Sequence, residues 1–122
     1  MSGSVDAYFG AWNETDGANR HVLLERCLTS DVELIDENGR FLGYDGLDSL
    51  IARFHERFPG RRVVRSSGID EFAGMARYSW DIVDSDDNTT MVGLDVVEHG
   101  DDGRLQRIIM FHRPLPALAE AG

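Results

Sequence analysis

The segment Thr89–His112 constrains the fold most, because it predicts two long antiparallel strands joined by a short polar turn. Side chains alternate between the two faces of a strand, and residues 99–103 are rich in the Gly and Asp that tight turns favour. Asp95 shares one face of its strand with Met91 and Val97, where an apolar residue is expected. A buried carboxyl group must be paired, hydrated or protonated, so Asp95 is the first candidate for a functional residue.

Composition and charge restrict the class of protein. The 122 residues are 42% hydrophobic, which is sufficient for an apolar core, and we expect residues 1–122 to form a single domain. The net charge of −10 argues against nucleic acid and anionic membranes as partners and favours an apolar small molecule or a second copy. No apolar run is long enough to cross a bilayer, and we expect no secretion signal. The single cysteine, Cys27, excludes an internal disulfide bond and indicates a cytoplasmic protein with a buried thiol.

The rest of the chain predicts helices first and strands afterwards. Apolar residues recur at the spacing of amphipathic helices in three segments: 4–14, 18–29 and 46–58. Strands are predicted at 31–35, 40–43, 61–70, 73–84, 89–99 and 104–112. Asp16 and Asp45 are the predicted N-caps of the second and third helices, and Asn38 with Gly39 predicts a hairpin turn. Segregated helices and antiparallel strands make an α+β domain.

This order of elements resembles the nuclear transport factor 2-like superfamily, which has the cystatin-like cone fold. Four segments carry the resemblance, which extends over residues 5–113: AYFGAWNETD, DVELIDENG, GYDGLDSLIARF and GLDVVEHGDDGRLQRIIMF. The resemblance implies three N-terminal helices packed on a strongly curved, mostly antiparallel sheet with a central pocket. It also implies a homodimer formed through the exposed face of the sheet.

Ketosteroid isomerase, a member of this superfamily, resembles the chain at three polar positions. Its oxyanion-binding tyrosine lies in the first helix and corresponds to Tyr8, and its general-base aspartate ends the first strand and corresponds to Asp36. Its second oxyanion donor is an aspartic acid kept protonated by apolar surroundings, and it corresponds to Asp95. The resemblance therefore implies proton abstraction next to the carbonyl of an apolar ring compound, without a cofactor.

Two other enzyme groups resemble the same scaffold: SnoaL-like polyketide cyclases and limonene-type epoxide hydrolases. Their acid/base aspartate lies in the last strand, and here that place falls near Met110, which cannot do acid–base chemistry. The arginine and aspartate of the hydrolases are matched only loosely by Arg77 and Asp81. A non-catalytic ligand-binding or assembly domain is the alternative, in which Tyr8, Asp36 and Asp95 are satisfied structural groups.

Large side chains near these positions are predicted to line the pocket: Trp12, Phe54, Tyr78, Trp80, Met110 and His112. His112 shares a strand face with Met110, and this pattern is compatible with a position either in the pocket or at its rim. No pair of histidines has the spacing of metal ligands, and we expect no metal site. The acidic segment 84–88 lacks the glycine of a calcium loop and predicts an exposed hairpin turn.

Overall fold

The computed structural model describes the backbone of residues 2–121 and the side chains of residues 3–119. Three helices, one hairpin and a run of strands follow one another in the predicted order. The helices are α1 Ser2–Asn13, α2 Gly17–Cys27, α3 Gly43–Arg57 and the short α4 Leu118–Ala121. The strands are β1 Leu28–Asp36, β2 Gly39–Leu42, β3 Arg62–Arg65, β4 Asp70–Phe72, β5 Met75–Val83, β6 Thr89–His99 and β7 Leu105–Phe111.

All seven strands form one curved sheet, in the order β2-β1-β7-β6-β5-β3, with β4 also paired to β5. The strand pairs are antiparallel except for β1 and β7, which run parallel. β6 and β7 form the predicted hairpin, in which Asp95 lies opposite Met110. The predicted α+β architecture, with helices packed on a mostly antiparallel curved sheet, is therefore confirmed.

The core lies between the helices and the sheet. Val5, Tyr8 and Trp12 follow each other at three- and four-residue spacing in α1, and all three are buried. Leu47 and Ile51 are the buried residues of α3. These side chains belong to one apolar cluster that also contains residues from β1, β5, β6 and β7. Periodic apolar residues thus position one face of α1 and α3 against the sheet.

Two local predictions are corrected. The predicted strand 61–70 is divided into β3 and β4, because the hydroxyl of Ser67 accepts the Ser79 N–H at 2.8 Å and interrupts the ladder. Asp45 is not the N-cap of α3, since the helix begins at Gly43 and Asp45 lies in its first turn, where a carboxylate complements the helix dipole.

Other local predictions agree with the structure. Asp16 caps α2 by accepting the backbone N–H of Asn19 at 2.9 Å. Cys27 is a buried free thiol, and burial raises its pKa to about 12, which makes it a poor nucleophile. In the described part of the chain, no helix combines the length and apolarity needed to cross a membrane.

Candidate functional site

A cavity of about 500 Å³ opens between α1, α3 and the sheet. Its size suits a small organic ligand, since such sites commonly enclose about 300–1,000 Å³. Most of the lining side chains are apolar or aromatic. Residues predicted for the site that line it are Tyr8, Trp12, Asp36, Phe54, Trp80, Asp95, Met110 and His112. The fold thus brings together on one cavity residues from both ends of the sequence.

Asp95 is the buried acid of this cavity. It lies in the middle of β6 and is 1% exposed. Its Oδ1 accepts a hydrogen bond from the indole Nε1–H of Trp80 at 2.9 Å. Burial raises the pKa of Asp95 to about 7, although Trp80 and Tyr78 act in the opposite direction. Protonated and ionised forms therefore coexist near neutral pH, and the protonated form can donate a hydrogen bond to a ligand.

The orientation of Trp80 depends on Gly93, which lies directly opposite it in β6. A Cβ atom at position 93 would lie 2.1 Å from Trp80 Cζ2 and 2.3 Å from the carbonyl oxygen of Phe111. Only glycine therefore lets the indole lie across β6 with its N–H directed at Asp95. Gly93 is not among the residues predicted for the site, although a glycine within a predicted strand often marks such a close approach.

Tyr8 extends from α1 and is 1% exposed. Its ring makes edge-on contacts with Phe9 and Trp12, with centroids 6.2 and 6.5 Å apart. Among the described residues its hydroxyl has no hydrogen-bond partner. Burial, followed by the charge of Asp95, raises the pKa of Tyr8 well above its usual value of 10. Tyr8 therefore keeps its proton and presents an unused donor at the cavity.

Asp36 and His112 form a second polar group. The Asp36 side chain is 2% exposed, and its Oδ2 lies 3.3 Å from His112 Nε2. Its Oδ1 accepts the backbone N–H of Asn38 at 2.8 Å. His112 Nδ1 lies 3.4 Å from Glu37 Oε1, and the ring packs edge-on against Trp80 at 6.2 Å. Asp36 therefore supports its own turn and also faces the cavity.

Tyr78 does not line the cavity, in contrast to the prediction. It is buried in the core, where its ring packs 5.4 Å from that of Phe9. Alternation along β5 places Tyr78 and Trp80 on the same face, but Tyr78 lies beneath Phe9. Its hydroxyl lies near Asp95 without a partner in hydrogen-bonding geometry.

No group of three or more His, Cys, Asp or Glu side chains in the described residues is arranged to hold a metal ion. The acidic segment 84–88 is the turn between β5 and β6, as its composition predicted. Asp84 Oδ1 accepts the backbone N–H groups of Asp86 and Asn88, each at 2.9 Å. These hydrogen bonds between the Asp84 side chain and the backbone stabilise the turn.

A scan against protein-family models finds no match, and a search of curated proteins finds none either. Solved structures do match. A SnoaL-like family protein from Agrobacterium tumefaciens, named as a candidate isomerase, is 26% identical, with a TM-score of 0.85 over 91% of this chain and 95% of the other.

Two further structures share the fold at lower identity. A nuclear transport factor 2-like protein of unknown function from Exiguobacterium is 13% identical, with a TM-score of 0.72 over 92% of this chain and 99% of the other. A protein from Jannaschia, named as a candidate SnoaL-like polyketide cyclase, is 15% identical, with a TM-score of 0.67 over 89% of this chain and 84% of the other. Together with the order of its elements, these likenesses show that the chain has the fold of SnoaL-like and nuclear transport factor 2-like proteins.

Proposed function

We propose that this protein is a cofactor-independent enzyme that moves a proton next to the carbonyl group of an apolar ring compound. One observation carries the proposal: the Asp36–His112 pair and the donors Tyr8 and Asp95 converge on one apolar cavity. The names of similar proteins, a candidate isomerase and a candidate polyketide cyclase, suit such chemistry. Isomerisation next to a carbonyl group and aldol cyclisation both begin by forming an enolate.

In this mechanism Asp36 acts as the general base. Its carboxylate takes a proton from the carbon next to the carbonyl; the electron pair of that C–H bond forms a C=C bond, and the π pair of the carbonyl group moves to its oxygen. Tyr8 and protonated Asp95 donate hydrogen bonds to the resulting oxyanion. An isomerase then returns the proton from Asp36 to another carbon, whereas in a cyclase the enolate carbon attacks a second carbonyl, whose π bond breaks, and the new alkoxide oxygen takes the proton from Asp36.

His112 is a positioning residue in this proposal. Its two ring nitrogens face carboxylate oxygens of Asp36 and Glu37, at 3.3 and 3.4 Å. The edge-on contact with Trp80 fixes the plane of the ring. The imidazole therefore orients the Asp36 carboxylate toward the cavity and links it to the Trp80–Asp95 side.

The test is turnover of a panel of β,γ-unsaturated cyclic ketones, followed by the ultraviolet absorbance of the conjugated product. Asp36→Asn keeps the shape and removes the base, so we expect kcat to fall roughly 10²–10⁴-fold. Asp31→Asn is the matched control, because Asp31 lies in the same strand with its side chain exposed. Equal rates for wild type and Asp36→Asn would exclude Asp36 as the base.

A ligand-binding domain without turnover is the second candidate. It is favoured by the bond from Asn38 to Asp36, since that bond gives the carboxylate a structural role independent of catalysis. The two candidates separate in one experiment. A ring ketone that raises the melting temperature but is not converted by wild-type protein supports binding alone.

A further inference from the structure

Two arginines of α3 line the mouth of the cavity. Arg53 and Arg57 are one helical turn apart and belong to its lining. The Arg53 guanidinium lies over the Phe41 ring, 5.8 Å from its centroid, and that of Arg57 lies over Phe58 at 5.6 Å. The Arg61 guanidinium lies over the same Phe58 ring, 5.7 Å from its centroid. The aromatic rings hold these cations at the rim of an otherwise apolar cavity.

Neither Arg53 nor Arg57 pairs with a carboxylate within the part of the chain whose side chains are described. Arg26, Arg61 and Arg65 also have no carboxylate partner among these residues, so Arg53 and Arg57 are distinguished by their place on the cavity lining. Elsewhere, Arg20, Arg77 and Arg104 each contact a carboxylate oxygen at 2.7 to 2.9 Å. The Nε–H of Arg53 donates to the Ser49 carbonyl oxygen at 3.4 Å, and stacking on an aromatic ring leaves the other guanidinium N–H groups at its edge available to a ligand.

We infer that the ligand of this cavity carries a carboxylate, which Arg53 and Arg57 bind at the mouth. The inference rests on the proposed function and adds a substrate class: ring compounds with an acidic group away from the reacting carbonyl. A ligand anion beside Asp36 or Asp95 would meet another carboxyl group, which opposes binding there. Planar guanidinium groups suit carboxylates, which they bind through paired hydrogen bonds. The arginines therefore fix which end of the ligand enters the cavity.

The probes are 2-naphthylacetate and the neutral, similarly shaped 2-naphthylacetamide, with Kd measured by quenching of tryptophan fluorescence, since Trp12 and Trp80 line the cavity. Wild-type protein should bind the acid more tightly than the amide. Raising the salt concentration from about 0.05 to 0.5 M should weaken the binding of the acid and leave that of the amide unchanged, because salt screens exposed charges. This comparison requires no variant.

The variant Arg53→Gln/Arg57→Gln should raise the Kd of the acid roughly tenfold and the Kd of the amide less than about twofold. The control Arg26→Gln/Arg65→Gln removes the same charge from exposed positions outside the cavity and should leave both constants within about twofold. Single Gln variants replace the double variant if circular dichroism shows that it does not fold.

The outcomes separate this inference from the proposed function. If the amide binds but the acid binds no better, or if the double variant weakens both equally, the anion-binding role is wrong and the apolar site stands. If neither probe binds wild-type protein, the ring-binding site itself fails and this inference fails with it.

Discussion

Asp36 and Asp95 are two carboxyl groups on one cavity, and their surroundings differ. Both are almost excluded from solvent, with an exposed fraction of 2% for the Asp36 side chain and 1% for Asp95. Asp36 ends β1, accepts the N–H of Asn38 and lies beside His112. Asp95 lies in the middle of β6 and, among the described residues, accepts a hydrogen bond only from Trp80.

The difference follows from position along a strand. In the middle of a sheet, the backbone N–H groups are bonded to neighbouring strands, so a buried carboxyl group there depends on side-chain donors. At the end of a strand, the turn offers N–H groups that have no ladder partner, and Asn38 supplies one of them. The proposed function requires such a difference, because it assigns a base to the end of β1 and a neutral acid to the middle of β6.

The largest effect on stability should come from Asp95→Asn, measured against pH. The folded-state pKa of Asp95 is about 7, and its ordinary value is 3.8. Folded protein therefore binds more protons than unfolded protein between these pH values. As the pH rises from about 4 to 7, this group lowers the free energy of unfolding by roughly 4 kcal/mol.

Asparagine keeps an oxygen acceptor for Trp80 and has no charge. We expect Asp95→Asn to be more stable than wild type at about pH 8, with the gain vanishing toward pH 4.

Urea denaturation across this pH range measures the difference. Asp31→Asn is a control of opposite sign, since the nearby Thr29 hydroxyl and the Gln106 amide, which donates to Asp31 Oδ2 at 3.2 Å, lower the pKa of exposed Asp31. That stabilisation is present above the unfolded pKa, so the control should lose stability there and match wild type at lower pH. Parallel curves for Asp95→Asn and wild type would show that Asp95 is not held in its neutral form.

Gly93→Ala should damage the Asp95 side of the cavity most directly, because Trp80 donates to Asp95, whereas the bond from the Asn38 N–H to Asp36 lies away from the new methyl group. The new methyl group would overlap Trp80 Cζ2 at 2.1 Å and a backbone oxygen at 2.3 Å, so the ring must leave its place. We expect a loss of about 1–3 kcal/mol in the free energy of unfolding, as overpacking commonly costs. Gly10→Ala is the control, because its Cβ would meet only Leu23 at 3.9 Å and alanine favours a helix. Unchanged stability of Gly93→Ala would contradict the close packing of Trp80 on β6.

The two carboxyl groups differ in how much of their surroundings could be predicted from the sequence. The buried position of Asp95 could be predicted, because strict alternation in β6 places it on the face of Val97. Tyr8 could be placed on the buried face of α1 in the same way, from helical spacing. Both predictions depend on the period of a single element, which short-range sequence encodes.

The contact of Asp36 with His112 could not be predicted, because it depends on the parallel pairing of β1 with β7. These strands are separated by most of the chain, and no local pattern states which of them become neighbours. The error at Tyr78 has a related cause. Alternation gives the face of a strand, but the depth of a side chain beneath Phe9 is set by packing between elements.

The smallest expected effect tests the Asp36 side of the comparison. His112→Gln removes one partner of Asp36 and leaves the Asn38 N–H in place, and the histidine side chain is 21% exposed. We therefore expect a loss of about 0.5–1 kcal/mol in the free energy of unfolding, as for a partly screened pair. A double-mutant cycle with Asp36→Asn isolates the pair, and its coupling energy should account for most of that loss.

The control is His21→Gln, which breaks a contact between side chains that are about half exposed and should change the free energy of unfolding by less than about 0.5 kcal/mol. Zero coupling between Asp36 and His112 would mean that the Asn38 turn alone holds the carboxylate, and His112 would then lose its positioning role.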